Sequence, residues 1–390
     1  MRPGLAVLLV LASGCFEPSL PAVVRCDNGD CPPGRMCSAG FCVVSPADAA
    51  VSDGPTLDAS DDSSFDTGLP DAAARPNYIF VTSQDFAPTL GIAQADVACQ
   101  TAADRRFDGT FIAWMSAPGM PMRDRLGNAR GWVLPNGVPF ADRAADLLRG
   151  VVYHHVDRNE NGEQTSYQTI ITGTTADGST DADTCDGWTR SDVGSSFRAG
   201  STSGGPKDWT SAFTVPCTSR GRIYCLEVSH DFAVRTPGAT GKRMFLSNAA
   251  WLPSGGTSAA DAVCNADKPA GVSAAVALLS TTTVRASTRL DMGALYVRQD
   301  GMPIGAGSVI ATGAELGAGP WQAGDGSYVT ERAWTGSNFP SNLSVSNGSE
   351  NCTDWTSAAG DGGTGLPHRE WWVTVRIPCG TGARLYCVEP

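Results

Sequence analysis

Residues 349–357 read SENCTDWTS and residues 183–191 read DTCDGWTRS. In both, a Cys stands three positions before a Trp, at Cys185 and Trp188 and again at Cys352 and Trp355. Working outward from these pairs, the same landmarks recur in the same order. Phe80-Val81-Thr82-Ser83 matches Phe245-Leu246-Ser247-Asn248, and Ala-Asp-x-x-Cys ends at Cys99 and at Cys264. Ala113-Trp114-Met115-Ser116 corresponds to Ala277-Leu278-Leu279-Ser280. Arg125-Leu126 leads to Gly137 as Arg289-Leu290 leads to Gly301, at equal distance. Both series end alike, with Cys217, Tyr224, Cys225, Leu226 and Glu227 matching Cys379, Tyr386, Cys387, Val388 and Glu389. Ordered landmarks at nearly constant spacing predict one domain present twice, at 77–229 and 242–390, with a link at 230–241.

A chain of 390 residues with 42% apolar content has room for two cores plus additional segments. Its 45 Gly and 25 Pro predict many turns. A net charge of −12 argues against a nucleic-acid partner, which needs a basic face. The first residues read MRPGLAVLLVLASGC. One Arg precedes an apolar run, Leu5 to Ala12, too short to span a bilayer and suited to the core of a signal peptide at 1–14. Ala12-Ser13-Gly14-Cys15 resembles the lipobox of bacterial lipoproteins. That resemblance implies a lipidated Cys15 at the head of segment 15–25 and a membrane partner reached through its acyl chains. Phe16, where an inner-membrane lipoprotein commonly has Asp, points to the outer membrane, on its periplasmic face or at the cell surface. The alternative is an ordinary secretory signal.

Setting Cys15 aside, the remaining cysteines of the 13 fall into three groups of four. Even counts in an exported chain read as disulfides. Zinc is the alternative, but no C-x2-C spacing occurs. The first group lies in a small Cys-rich module, 26–42, that needs staples in place of a core. Of its three connectivities, Cys26–Cys37 with Cys31–Cys42 is preferred. Residues 43–76 carry seven Asp among Ala, Ser, Pro and Gly, and read as a disordered tether or, alternatively, an acidic interaction segment.

Alternation predicts strands at Asn77–Ser83, at Arg222–Val228 and around Val373, Val375 and Ile377, and Ala-rich stretches predict helices at Asp96–Asp104 and Ser258–Asp267. Each helix carries the first Cys of its domain, which must find a partner far along the chain. The expected bridges are Cys99–Cys225, Cys264–Cys387, Cys185–Cys217 and Cys352–Cys379. Few helices, many short strands and long pinned loops make an α+β fold.

CQTAADRRFDGTFIAWMS at 99–116, ITGT at 171–174, WTGS at 334–337, the Cys-x-x-Trp pairs and the Tyr-x-Cys-x-Glu endings resemble endostatin-like domains of the C-type-lectin-like fold. The resemblance implies a bacterial lipoprotein with two such domains, of a kind whose function is unknown. The lectin sugar–calcium motifs are not found, and neither repeat has a His near its start to supply the endostatin zinc ligand. By count, 77–229 holds 13 basic against 17 acidic residues, so no heparin site transfers.

Chemistry-bearing patterns are few. DRNENG at 157–162 matches the start of a calcium loop, but Gln168 stands where Glu is needed, and a hairpin turn at Asn161-Gly162 is the better reading. His154 and His155 on a strand would point to opposite faces and not share a metal. No nucleophile elbow, P-loop or dinucleotide fingerprint occurs, so neither an enzyme nor a cofactor nor a metal is expected. Trp209, Trp371 and Trp372 lie in or beside Gly- and Ser-rich loops, where exposed indoles stack on sugars or anchor proteins; with Arg123 and Arg125 they are the candidate ligand contacts. The expected function is a non-catalytic envelope protein that binds a polysaccharide or a matrix protein. A structural envelope or spore-coat component is the alternative, and a hydrolase the third reading. Mass spectrometry of the mature protein should show Cys15 as its first residue carrying fatty acids; an unmodified first residue would remove the anchor.

Overall fold

The fold is described from a computed structural model for residues 35–38, 41–44, 75–344, 350–369, 371–372 and 375–390. The chain divides into two units, 1–62 and 63–390. In the first, Arg35–Ser38 (β1) and Phe41–Val44 (β2) pair antiparallel with Cys37 opposite Cys42. Cys15, the acidic tether and the side chains that would form Cys26–Cys37 and Cys31–Cys42 lie outside the described residues.

The second unit opens with Asn77–Val81 (β3), whose pattern of buried and half-buried positions reflects its Tyr-Ile-Phe-Val run. Helix α1 (Gly91–Ala103), β4 (Phe111–Ala113), β5 (Arg130–Val133), β6 (Pro139–Arg143) and a helical turn α2 (Ala144–Leu147) follow. Then come β7 (Thr169–Ile171), a turn α3 (Cys185–Trp188), β8 (Ser196–Ser201), β9 (Phe213–Pro216) and β10 (Tyr224–Glu227). From residue 242 the chain forms β11 (Lys242–Leu246), α4 (Gly256–Ala266), β12 (Val276–Ala277), β13 (Leu295–Val297), β14 (Pro303–Ala306) and α5 (Gly307–Thr312). It ends with β15 (Ala333–Trp334), a turn α6 (Cys352–Trp355), β16 (Asp361–Gly365), β17 (Val375–Pro378) and β18 (Arg384–Val388). With 18% helix and 27% strand in several sheets, the fold is mixed α+β. Helix α1 begins earlier than the Ala-rich pattern suggests, because Pro88–Leu90 already makes a tight turn leading into it.

Fully buried β10 lies between β3 and β4, in a sheet ordered β4-β10-β3-β5-β6. Cys225 sits opposite both Phe80 and Ala113 and is bonded to Cys99 of α1. Strand β18 lies likewise between β11 and β12, with Cys387 opposite Phe245 and Ala277 and bonded to Cys264 of α4. Each bridge closes a loop of 126 or 123 residues, worth about 4–5 kcal/mol in the chain-entropy model. The Asp of each Ala-Asp-x-x-Cys explains a second landmark. Asp96 Oδ1 accepts from Ala113 N at 2.8 Å, and Arg125 grips both its oxygens at 2.6 and 2.7 Å. Asp261 accepts from Ala277 N at 2.8 Å and pairs with Arg289. The two segments differ in the outer sheet. Strands β15, β16 and β17 join β18 through a parallel β15–β18 pair, whereas β7, β8 and β9 form a separate sheet touching the approach to β10 at Ile170 and Arg222.

The Cys-x-x-Trp pairs are one-turn left-handed helices. Cys185, Asp186, Gly187 and Trp188 have φ of 50, 53, 64 and 70°; Cys352, Thr353, Asp354 and Trp355 have 50, 56, 50 and 68°. Such a conformation costs about 1–2 kcal/mol per non-Gly residue, so the surroundings must over-determine it. They do so in the same way twice. The Cys is bridged, to Cys217 or Cys379. The indole Nε1 donates to Ser116 O or Ser280 O, both at 2.9 Å. Thr184 Oγ1 and Asn351 Oδ1 cap the turn by accepting from Gly187 N and Asp354 N. Each indole also packs closely against a glycine: a Cβ at Gly173 would meet Trp188 at 2.5 Å, and one at Gly336 would meet Trp355 at 2.6 Å. The ITGT and WTGS stretches are therefore seats for these tryptophans.

The segments 77–229 and 242–390 dock tightly. Trp321 is fully buried within the hydrophobic cluster of Trp114, Phe140, Leu147 and Val152. Its Nε1 donates to Val152 O at 3.0 Å. Arg298, also fully buried, lies 4.8 Å over the Trp321 ring, pairs with Asp300 and donates to Tyr153 O at 2.7 Å. A Cβ at Gly205 would stand 2.9 Å from that ring.

Exposed Thr353 is β-branched and held at φ 56°. Thr353→Gly should raise the unfolding free energy by up to about 1 kcal/mol in denaturant titrations; an equal loss would contradict the left-handed turn.

Candidate functional site

The loop tryptophans expected to bind a ligand are buried. Trp209 is 1% exposed and packs against Trp114, Phe140 and Tyr224 at ring distances of 4.5, 5.1 and 5.7 Å. Trp371 is fully buried and Trp372 nearly so; they pack on one another at 4.7 Å and on Tyr386. None of the three can stack on a sugar. A Gly- and Ser-rich loop looks solvent-exposed in sequence, yet these loops fold back over the core and meet across the docked segments. His368 Nε2 lies 2.7 Å from Asp208 Oδ2, and Arg369 N donates to Ser203 O. Arg125 is corrected too: its guanidinium is spent on Asp96, Ala113 O and Met115 O. Arg123 is half-exposed on a surface turn, bonded to Ser179 and near Asp177, remote in role from the tryptophans.

The structure does bring together residues that sequence periodicity kept apart. Tyr153 and His154 form a bend, not a strand, and the His154 and His155 rings lie 4.0 Å apart. The segment is pinned at both ends, where Tyr153 N donates to Phe140 O and Val81 N to Arg158 O. Asp157 joins the pair, with its Oδ2 3.5 Å from His155 Nε2. All three are buried beneath Trp321, Arg298 and Arg369 of the second segment. Burial, together with the neighbouring ring, pushes His154 down to about 3, and burial lowers His155. Burial alone would raise Asp157, but the His155 ring, His154 and Arg158 outweigh it and hold its carboxyl well below the usual range. The DRNENG stretch forms the expected hairpin, and Asn159 Oδ1 is occupied by Asn161 N and Glu163 N. The ring contacts of His154, His230 and His368 go to a carbonyl or to carboxylates, not to a hydroxyl that could serve as nucleophile.

A cleft of about 300 Å³, lined by polar and apolar groups alike, opens on the first segment. Ser83, Gln84 and Phe86 line it from the turn after β3, Thr101 from α1, Arg105 from the turn that follows α1, and Glu160 and Asn161 from the hairpin tip. Glu160 is oriented by accepting from Ser83 N at 2.8 Å and from its hydroxyl, and Arg106 holds Asn161 O. Arg105 makes no ion pair among the described residues. In the second segment the shorter loop brings Asp325 N onto Asn248 Oδ1 at 2.8 Å. Sequence reasoning missed this cleft because its lining comes from three separated stretches of ordinary polar residues.

Comparison with protein-family models and with curated proteins yields no match. Among the described residues no helix is long and apolar enough to cross a membrane.

Because burial lowers both imidazoles, His154 to about 3, while an unfolded chain protonates them below about 6.5, stability is complete above that pH and declines as pH falls below it. Unfolding free energy measured from pH 7 to 4 should fall, and His154→Gln should flatten the slope; an unchanged slope would count against the buried neutral pair.

Proposed function

We propose that the chain is an exported, lipid-anchored outer-membrane protein of two endostatin-like, C-type-lectin-like domains, and that it binds a polysaccharide without catalysis. Four disulfides support an extracytoplasmic setting. The duplicated strand–helix–strand arrangement around Cys225 and Cys387 supports the tandem reading. The observation that carries the binding function is the cleft of about 300 Å³. It is lined by hydroxyl, amide, carboxylate and guanidinium groups together with one aromatic ring and the methyl groups of Ala98 and Ala102, a mixture suited to the polar and apolar faces of a sugar. Its size fits one or two sugar units and is small for a protein surface, so saccharide is preferred to a matrix protein.

Binding of soluble polysaccharides to the full chain, followed by calorimetry or glycan array, tests this. Gln84→Ala with Arg105→Ala should weaken binding about tenfold or more, the loss of one to two hydrogen bonds to charged or polar groups. Undiminished binding by the folded variant would place the ligand elsewhere, and no binding to any saccharide would favour the structural reading.

A further inference from the structure

We propose that His154, His155 and Asp157 form a binding site for one first-row divalent cation of the zinc type, roofed by the second segment. This goes beyond the saccharide reading and does not depend on it. One donor atom from each residue lies within 4.8 Å of the other two, and the residues are 9, 1 and 2% exposed. Zinc bound tetrahedrally at about 2.0–2.2 Å keeps its donors roughly 3.3 Å apart, so small side-chain rotations close the set.

Two features of the cluster point to a missing partner. His155 Nδ1 and Asp157 Oδ1 are buried and have no hydrogen-bond partner, whereas buried polar groups are almost always paired. In addition, His154 Nδ1 lies 2.7 Å from His155 O, which fixes it as the N–H donor and leaves Nε2 with its lone pair. A carbonyl accepting the far N–H of an imidazole is the customary support for a metal-ligating His.

The charges nearby allow an ion. Arg158 Nε and Arg369 Nη1 each stand 3.6 Å from Asp157, beyond hydrogen-bonding distance. Arg369 retains Thr165 O and Glu315, and Arg298 is neutralised by Asp300, so a cation on the Asp157 carboxylate leaves both with partners. Arg158, whose ion pair among the described residues is with Asp157, stays beside that carboxylate, its side chain 20% exposed to water. Two imidazoles and one carboxylate suit zinc and its neighbours; calcium and magnesium demand more oxygen ligands. Trp321, with its ring 6.5 Å from that of His155, closes the site against solvent. This departs from the sequence expectation of no metal, which rested on a strand at 154–155.

The test uses the full oxidised chain, stripped with chelator, then equilibrated with micromolar zinc chloride and counted by elemental mass spectrometry. One zinc per chain is expected, and cobalt chloride should give visible absorption of a low-coordinate site. Asp157→Asn should weaken zinc by more than about 100-fold, beyond what losing an outer-shell support costs. Independently of any variant, zinc should shift the ring-nitrogen resonances of His154 and His155 while leaving His230 and His368 unmoved. Absence of stoichiometric zinc, shifts confined to His230 or His368, or full affinity in folded Asp157→Asn would each overturn the proposal.

Discussion

Trp321 carries an indole from one segment into the core of the other. It sits on Gly205, bonds to Val152 O and is covered by the guanidinium of Arg298. An indole removes on the order of 150–250 Å² from water, enough to organise what surrounds it. The covering of the 154–157 segment follows from that insertion. Loops that would otherwise meet solvent become contact surface, and the 154–157 segment is roofed, which disfavours protonation of its imidazoles and leaves some of its polar atoms unpartnered.

The same logic of over-determination governs the left-handed turns. Non-glycine residues at positive φ persist only where several independent contacts converge. A disulfide, an indole hydrogen bond, a cap and a glycine seat converge on each turn. The Cys-x-x-Trp signal is the sequence trace of this arrangement, because a short turn presenting both a thiol and an indole inward leaves little freedom in spacing. The glycines at 173 and 336 are its distant complement: any Cβ there would collide with the ring.

Legibility tracked locality and chemistry. The α+β class and the strands ending each segment are readable because alternation is a local signal and cysteines carry a defined covalent chemistry. Asp96 with Arg125, and Asp261 with Arg289, are visible as landmarks but not as ion pairs, so the sequence leaves Arg125 open as a ligand contact until the carboxylate beside it is located. Trp209, Trp371 and Trp372 failed for a related reason: flanking Gly and Ser signal a loop, and nothing local says what the loop packs against. His154 and His155 were separated by assuming a strand where the chain bends.

By itself the sequence determined the mixed α+β class, the strand around each terminal cysteine and the residues available for bridging, since these depend on periodicity and on covalent chemistry. Only the tertiary structure decided which polar residues surround the cleft, which loops are buried and which imidazoles meet. Those outcomes depend on how the two segments pack, and the contact of Trp321 with Val152 joins residues 169 positions apart, a relation no local pattern encodes.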